Sequence, residues 1–230
     1  QITKFVPASG AATRMFKSLL KISENNGKIQ YDDISLLAKK KGGDYAEILQ
    51  FMDHIDKFAF YQSLSSRMKY DGINLEQLRK EGDFTNIIDY ILSEHGLGYA
   101  SKPKGLILFH KYPAGSRTAF EEHLVEAAAY AKDHQGTSRL HFTVSPEHKK
   151  GFERLLKRLQ GDYESSYGVK YSIGFSEQSP STDTIAVDMN NRPFRDGDGY
   201  PVFRPGGHGA LIGNLNMLEG DVINIKNVDN

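Results

Sequence analysis

Six short apolar runs, at residues 2–6, 105–109, 139–144, 169–175, 184–187 and 222–225, are interleaved with helix-length apolar repeats at 120–132, 148–159 and 210–218. Strands separated by helical crossovers lie parallel, the crossovers are right-handed, and helices cover both faces. The pattern therefore predicts an α/β fold with a mostly parallel, Rossmann-like sheet. Ligands of such sheets sit at the carboxyl ends of the strands. Between residues 25 and 99 the texture changes to helical periodicity with polar breaks, at 31–40, 44–68 and 75–92. The many Lys, Asp and Glu there read as solvated helix faces. The expected organisation is an α/β domain of residues 1–24 and 100–230 carrying a helical insertion, residues 25–99, to which the sequence assigns no chemistry. Asn74 and Ser35 are its candidate helix caps.

Charge and cysteine content limit the partners. Lys plus Arg and Asp plus Glu both number 29, so there is no global basic excess to drive attachment to nucleic acid or to an anionic membrane. Any charged ligand must be met by local placement. The chain has no cysteine, which excludes disulfides and thiolate metal sites and suits a reducing compartment. No apolar run approaches the roughly 20 residues that span a bilayer, and Gln1-Ile2-Thr3-Lys4 lacks a signal-peptide pattern. A cytoplasmic protein is expected. Gln1 stands where a complete gene product would begin with Met, so the chain is expected to be part of a longer one.

Four segments carry the chemistry. The strand at 2–6 leads into Pro7-Ala8-Ser9-Gly10-Ala11-Ala12-Thr13-Arg14-Met15, and a helix is expected over 13–22 from the spacing of Met15, Phe16, Leu19, Leu20 and Ile22. A small-residue loop in this position lets backbone N–H groups approach phosphate oxygens. The others are Lys102-Pro103-Lys104-Gly105-Leu106, Arg204-Pro205-Gly206-Gly207-His208-Gly209 and Asn227-Val228-Asp229-Asn230. Each has a plainer reading: Arg14 could pair with a surface acid, Lys104 could be a solvated lysine, and Asp229 a turn residue. The clustered glycines could simply form a tight turn. His208 reads as an orienting or stacking group because no second histidine has ligand spacing nearby. His141 and His148 read as packing or capping groups, Ser145 lacks the partners of a nucleophile, and 188–191 and 196–199 read as turns.

In order and wording these motifs resemble the sugar-nucleotide pyrophosphorylases, above all the UDP-sugar pyrophosphorylase branch of the nucleotidyltransferases, and an uncharacterised bacterial branch near it. The resemblance covers residues 5–16 and 102–230. Ala8-Ser9-Gly10-Ala11-Ala12-Thr13-Arg14-Met15 looks like the Gly-rich signature ending Gly-Thr-Arg-Met. Pro103-Lys104-Gly105-Leu106 resembles the Pro-Lys-Gly segment, and Gln178, with Pro180 nearby, the Gln and Pro that accompany base recognition. Pro205-Gly206-Gly207-His208-Gly209 is similar to the Pro-x-Gly-His-Gly turn. Asn227-Val228-Asp229-Asn230 matches the strand-terminal metal-binding aspartate. Ser9 and Ala12 depart from the signature by replacing glycines. A Cβ there is harmless only where φ is negative and no phosphate presses on the Cα.

The resemblance implies a nucleotidyltransferase, GT-A-like fold and the attack of a sugar 1-phosphate on the α-phosphate of a nucleoside triphosphate, UTP being the expected one, with release of pyrophosphate. It implies that Ala8, Ser9, Gly10, Ala11, Ala12, Thr13, Gln178, Gly207, His208 and Gly209 surround the nucleotide. It assigns Arg14 and Lys104 to the phosphates and Asp229 to Mg²⁺. Relatives continue beyond the aspartate into a half that binds the sugar phosphate, so the chain is expected to end early. Two other readings stay open: a nucleotide-binding regulatory domain without turnover, and a glycosyltransferase that uses a nucleotide sugar.

Overall fold

The structure, a computed structural model, describes residues 1–24 and 27–230. Its strands are β1 (Ile2–Pro7), β2 (Leu108–Tyr112), β3 (Gly115–Thr118), β4 (Thr137–Thr143), β5 (Lys170–Ser176), β6 (Thr184–Ile185), β7 (Phe203–Arg204) and β8 (Val222–Ile225). Its helices are α1 (Lys17–Ser23), α2 (Tyr31–Lys41), α3 (Asp44–Asp53), α4 (Tyr61–Tyr70), α5 (Leu75–Glu81), α6 (Thr85–Leu92), α7 (Ala119–Tyr130), α8 (Pro146–Tyr167) and α9 (Ile212–Asn216). Two compact units divide the chain: Gln1–Ser9 with His123–Asn230, and Gly10–Glu122. Among the described residues no helix is long and apolar enough to cross a membrane.

The first unit is built on a wholly parallel sheet of order β5-β4-β1-β8. β4 and β5 follow on one side of β1 and β8 returns on the other, so the strand order reverses beside β1, the arrangement of a doubly wound Rossmann-like sheet. The register sorts the side chains into two faces. Lys4 lies opposite Leu140 and Leu140 opposite Ile173, and Ser138, Phe142, Tyr171 and Phe175 share that face. It receives α7, through Ser138 Oγ donating to the Ala127 carbonyl (3.1 Å) and Tyr171 Oη to that of Leu124 (2.9 Å), and α8, whose Phe152 ring lies 6.3 Å from Phe175. His141 and Ser176 face the other way, where α9 covers them by Asn214 donating to Ser176 Oγ and to the Glu177 carbonyl, each at 2.8 Å. Helices thus cover both faces. The His141 ring needs Gly174 beside it, because a Cβ there would stand 2.7 Å from Nδ1.

Two expected strands lie outside this sheet. Residues 104–106 form a 3-10 turn, and β2 pairs antiparallel with β3 in a hairpin of the second unit. The Pro113-Ala114-Gly115 turn, with Gly115 at φ +136°, sends the chain straight back where a crossover would have been needed. The run at 184–187 belongs to an antiparallel arm with β7. Turns at 188–191 and 196–199 fold the chain onto itself, each closed by an aspartate, Asp188 or Asp196, whose Oδ1 accepts two backbone N–H groups.

Among the described residues the second unit contains helices α1 to α6 and the hairpin. Phe16, Leu19, Ile48, Met52, Ile55, Leu64, Met68, Ile87 and Ile91 form its core. The helix expected over 13–22 begins as a 3-10 turn, Thr13–Phe16, before α1, and that expected over 44–68 breaks between α3 and α4. Asn74 caps α5, its Oδ1 accepting the Gln77 N–H at 3.1 Å, whereas Ser35 stands inside α2 and caps nothing. The expected insertion, 25–99, falls within this unit; Asn25 and Asn26, where it was expected to begin, lie outside the described residues.

Candidate nucleotide site and a buried charge cluster

In the first unit, the carboxyl ends of β1 and β8 lie side by side where the strand order reverses. Beyond β1, the Ala8 N–H donates to the Thr143 carbonyl (2.8 Å), so the chain runs on alongside β4 to Ser9. Beyond β8, the Lys226 N–H donates to the Phe5 carbonyl (3.0 Å) and that of Asn230 to Asn227 (3.1 Å), which closes a turn carrying a buried Val228 and an exposed Asp229. The carboxylate expected to hold a metal is therefore at the carboxyl edge of the sheet, the edge at which sheets of this class hold their ligands.

That turn is anchored from beneath. His123 Nε2 donates to the Val228 carbonyl (3.1 Å), and the ring is 1% exposed. Its Nδ1 is buried without a hydrogen bond among the described residues; Glu126 Oε2, 3.9 Å away, is beyond reach of one. Burial, with the Lys4 charge adding to it, pushes the His123 pKa down to about 4. Lys4, wholly buried in β1, donates to Glu126 Oε2 at 2.6 Å, and Lys226, just past β8, donates to Glu126 Oε1 at 2.6 Å. Desolvation lowers the Lys4 pKa in spite of Glu126. Burial alone would raise the Glu126 carboxyl, but Lys226 and Lys4 outweigh it and hold it low. One carboxylate thus ties together β1, α7 and the end of β8.

Two further motifs meet in this unit. Gln178, half-buried after β5, donates to Asp183 Oδ1 (3.3 Å). A Cβ on Gly206 would stand 2.8 Å from the Thr182 carbonyl oxygen and 3.7 Å from Gln178 Nε2, so the 205–209 turn packs on the 178–183 loop only because residue 206 is glycine. Gly207, His208 and Gly209 are exposed, and added Cβ atoms at the two glycines would meet nothing within 4 Å. His141 stacks on Phe5 with ring centres 6.0 Å apart, and its Nε2 lies 2.8 Å from Ser176 Oγ, a packing role.

In the second unit, the small-residue loop and the Pro-Lys-Gly segment pair with each other. The Ala12 N–H donates to the Lys102 carbonyl (3.2 Å) and that of Lys104 to Gly10 (2.9 Å), with Ala11 bridged to Pro103. Gly10, Ala11, Thr13 and Arg14 are exposed and Lys104 is half-buried. Among the described residues the N–H groups of Gly10, Ala11 and Thr13 meet no acceptor. Ala12 is buried in the core at φ −86°, and Ser9 is also at negative φ, so neither departure from glycine strains the backbone. Gly10 is itself outside the left-handed region, and a Cβ on it would meet nothing within 4 Å. Gly10→Ala should therefore leave the unfolding free energy from urea denaturation within about 0.5 kcal/mol of the parent; a larger loss would show that the loop needs glycine for its own shape.

Sequence reasoning missed Lys4, His123, Glu126 and Lys226. The one available signal was a lysine between Thr3 and Phe5 inside an apolar interior strand, where a charge must be paired. Among the described residues no group of three or more His, Asp or Glu side chains could enclose a metal ion. Mg²⁺ commonly takes one or two carboxylates and fills its octahedron with phosphate and water oxygens. An exposed Asp229 at the sheet edge fits that limited share.

The sequence model of one family, a domain of unknown function (DUF4301), matches residues 1–230. No curated protein and no solved structure matches the chain.

Proposed function

The chain belongs to the DUF4301 family, and we propose that it is a cytoplasmic sugar-1-phosphate nucleotidyltransferase or the nucleotide-binding part of one. A phosphate oxygen of the sugar 1-phosphate attacks the α-phosphorus of UTP, the bond from that phosphorus to the β-phosphate oxygen breaks, and pyrophosphate leaves. The observation that carries this reading is the reversal of strand order beside β1, with Asp229 leaving the neighbouring β8 at the same edge. Doubly wound sheets bind nucleotides there.

Such a transfer requires in-line alignment and charge stabilisation more than a protein nucleophile. Following the resemblance, Arg14 offers a planar donor fork and Lys104 a point charge to phosphate oxygens. Asp229 would hold Mg²⁺, which neutralises phosphate charge when bound. Gln178 and the 205–209 turn, which pack on one another, are the proposed base-recognition elements.

The test is pyrophosphate release from UTP with a panel of sugar 1-phosphates. Arg14→Ala and Asp229→Ala should each lower the rate by at least about tenfold, roughly 1.4 kcal/mol of transition-state stabilisation. Undiminished rates in both would remove these assignments. A second reading, nucleotide binding without turnover, draws on the absence, among the described residues, of any group of three or more His, Asp or Glu side chains that could enclose a metal ion; it predicts Mg²⁺-dependent UTP binding with no pyrophosphate formed.

A further inference from the structure

The second unit contains a cavity of about 660 Å³ that the nucleotide reading does not use. Its floor is hydrocarbon: Phe51 and Phe58 have ring centres 4.7 Å apart and Phe58 and Phe60 5.4 Å, with Ile107 beside them. Phe58 and Met15 at its mouth are 37% and 47% exposed, an apolar surface left open to water. The rim carries Lys57, Lys111 and His54 against one acid, Glu47.

The rim charges are not neutralised locally. Glu47 already accepts a hydrogen bond from Ser18. Lys111 Nζ donates to the Asp56 carbonyl, a neutral acceptor, at 3.2 Å, while the Asp56 carboxylate faces Arg79 at 3.6 Å. Among the described residues Lys57 has no carboxylate within ion-pair distance. The volume lies in the range of small-molecule pockets, which pair an apolar lining with a few polar groups. A neutral hydrocarbon would leave both lysines unanswered, and a triphosphate would leave the aromatic floor unused.

We propose that this cavity binds a small amphipathic anion, an aromatic or branched hydrocarbon body bearing one carboxylate, sulfonate or phosphate. The site stands independently of the nucleotide reading. The probe is 8-anilinonaphthalene-1-sulfonate, compared with the neutral N-phenyl-1-naphthylamine. Because the chain has no tryptophan, Met15→Trp places a single energy donor at the cavity mouth. The sulfonate should bind at one site per chain and quench that tryptophan. Lys57→Gln with Lys111→Gln should weaken the sulfonate by about tenfold while leaving the neutral probe within about twofold and circular dichroism unchanged. Both lysines are exposed, so the fold should tolerate the change. Absence of quenching, equal binding of the two probes, or sulfonate affinity indifferent to the lysines would each overturn the proposal.

Discussion

Replacing Glu126 by alanine should cost about 3–5 kcal/mol of unfolding free energy at pH 7, the usual penalty for stranding one partner of a buried ion pair. Glu126 is 32% exposed, but Lys4 is fully buried and depends on it. The variant can escape by releasing the lysine proton, at about 1.36 kcal/mol for each pH unit below the free value of 10.5, which caps the loss near about 5 kcal/mol at pH 7. The sign follows. With Lys4 titrating lower in the folded than in the unfolded state, the unfolded chain holds more protons, so stability rises with pH and the deficit should shrink by up to about 1.4 kcal/mol per unit toward pH 10. Adding Lys4→Met removes the stranded charge and should restore most of the loss. Urea denaturation of the parent, single and double variants decides it, and a double variant as unstable as Glu126→Ala would contradict the role given to the pair.

Acidification should act through His123. Its pKa is about 4 folded against 6.5 free, so it favours the folded state above 6.5 and that contribution is lost as pH falls toward 4. The full difference is about 3 kcal/mol, to order of magnitude. His123→Phe cannot titrate, and the gap between parent and variant stabilities should move by that amount between pH 7 and 4. Asp133, held down to about 2 chiefly by Arg139, and Glu164, held to about 2 chiefly by Lys170, lose their contributions mostly below pH 4.5, and His141, which burial also lowers, titrates alike in both proteins and cancels in the gap. Parallel pH profiles for the two proteins would show that the ring is not buried neutral.

How far the sequence could be read depended on periodicity. The runs that became β1, β4, β5 and β8, and the repeats that became α7 and α8, have lengths and patterns that declare strand or helix locally. Which strand pairs with which is not local. The run at 105–109 looked like a sheet strand, yet β2 pairs with β3 because a tight turn follows it. The run at 184–187 failed for the same reason, its fate being set by the aspartate-closed turns downstream. The Gly10 loop and the Lys104 segment were legible as motifs, and their mutual pairing became visible only in the structure. Lys4, Glu126 and Lys226 are spread over 222 positions, and no spacing rule could join them.

Calorimetric titration of this chain with UTP, with and without Mg²⁺, against ATP and GTP decides whether a nucleotide binds at the carboxyl edge beside β1. A nucleotide site there gives saturable binding that Mg²⁺ tightens, a preference for UTP, and loss of the Mg²⁺ effect in Asp229→Ala. Absence of binding by any of the three nucleotides, with Mg²⁺ present and the protein folded, would contradict it.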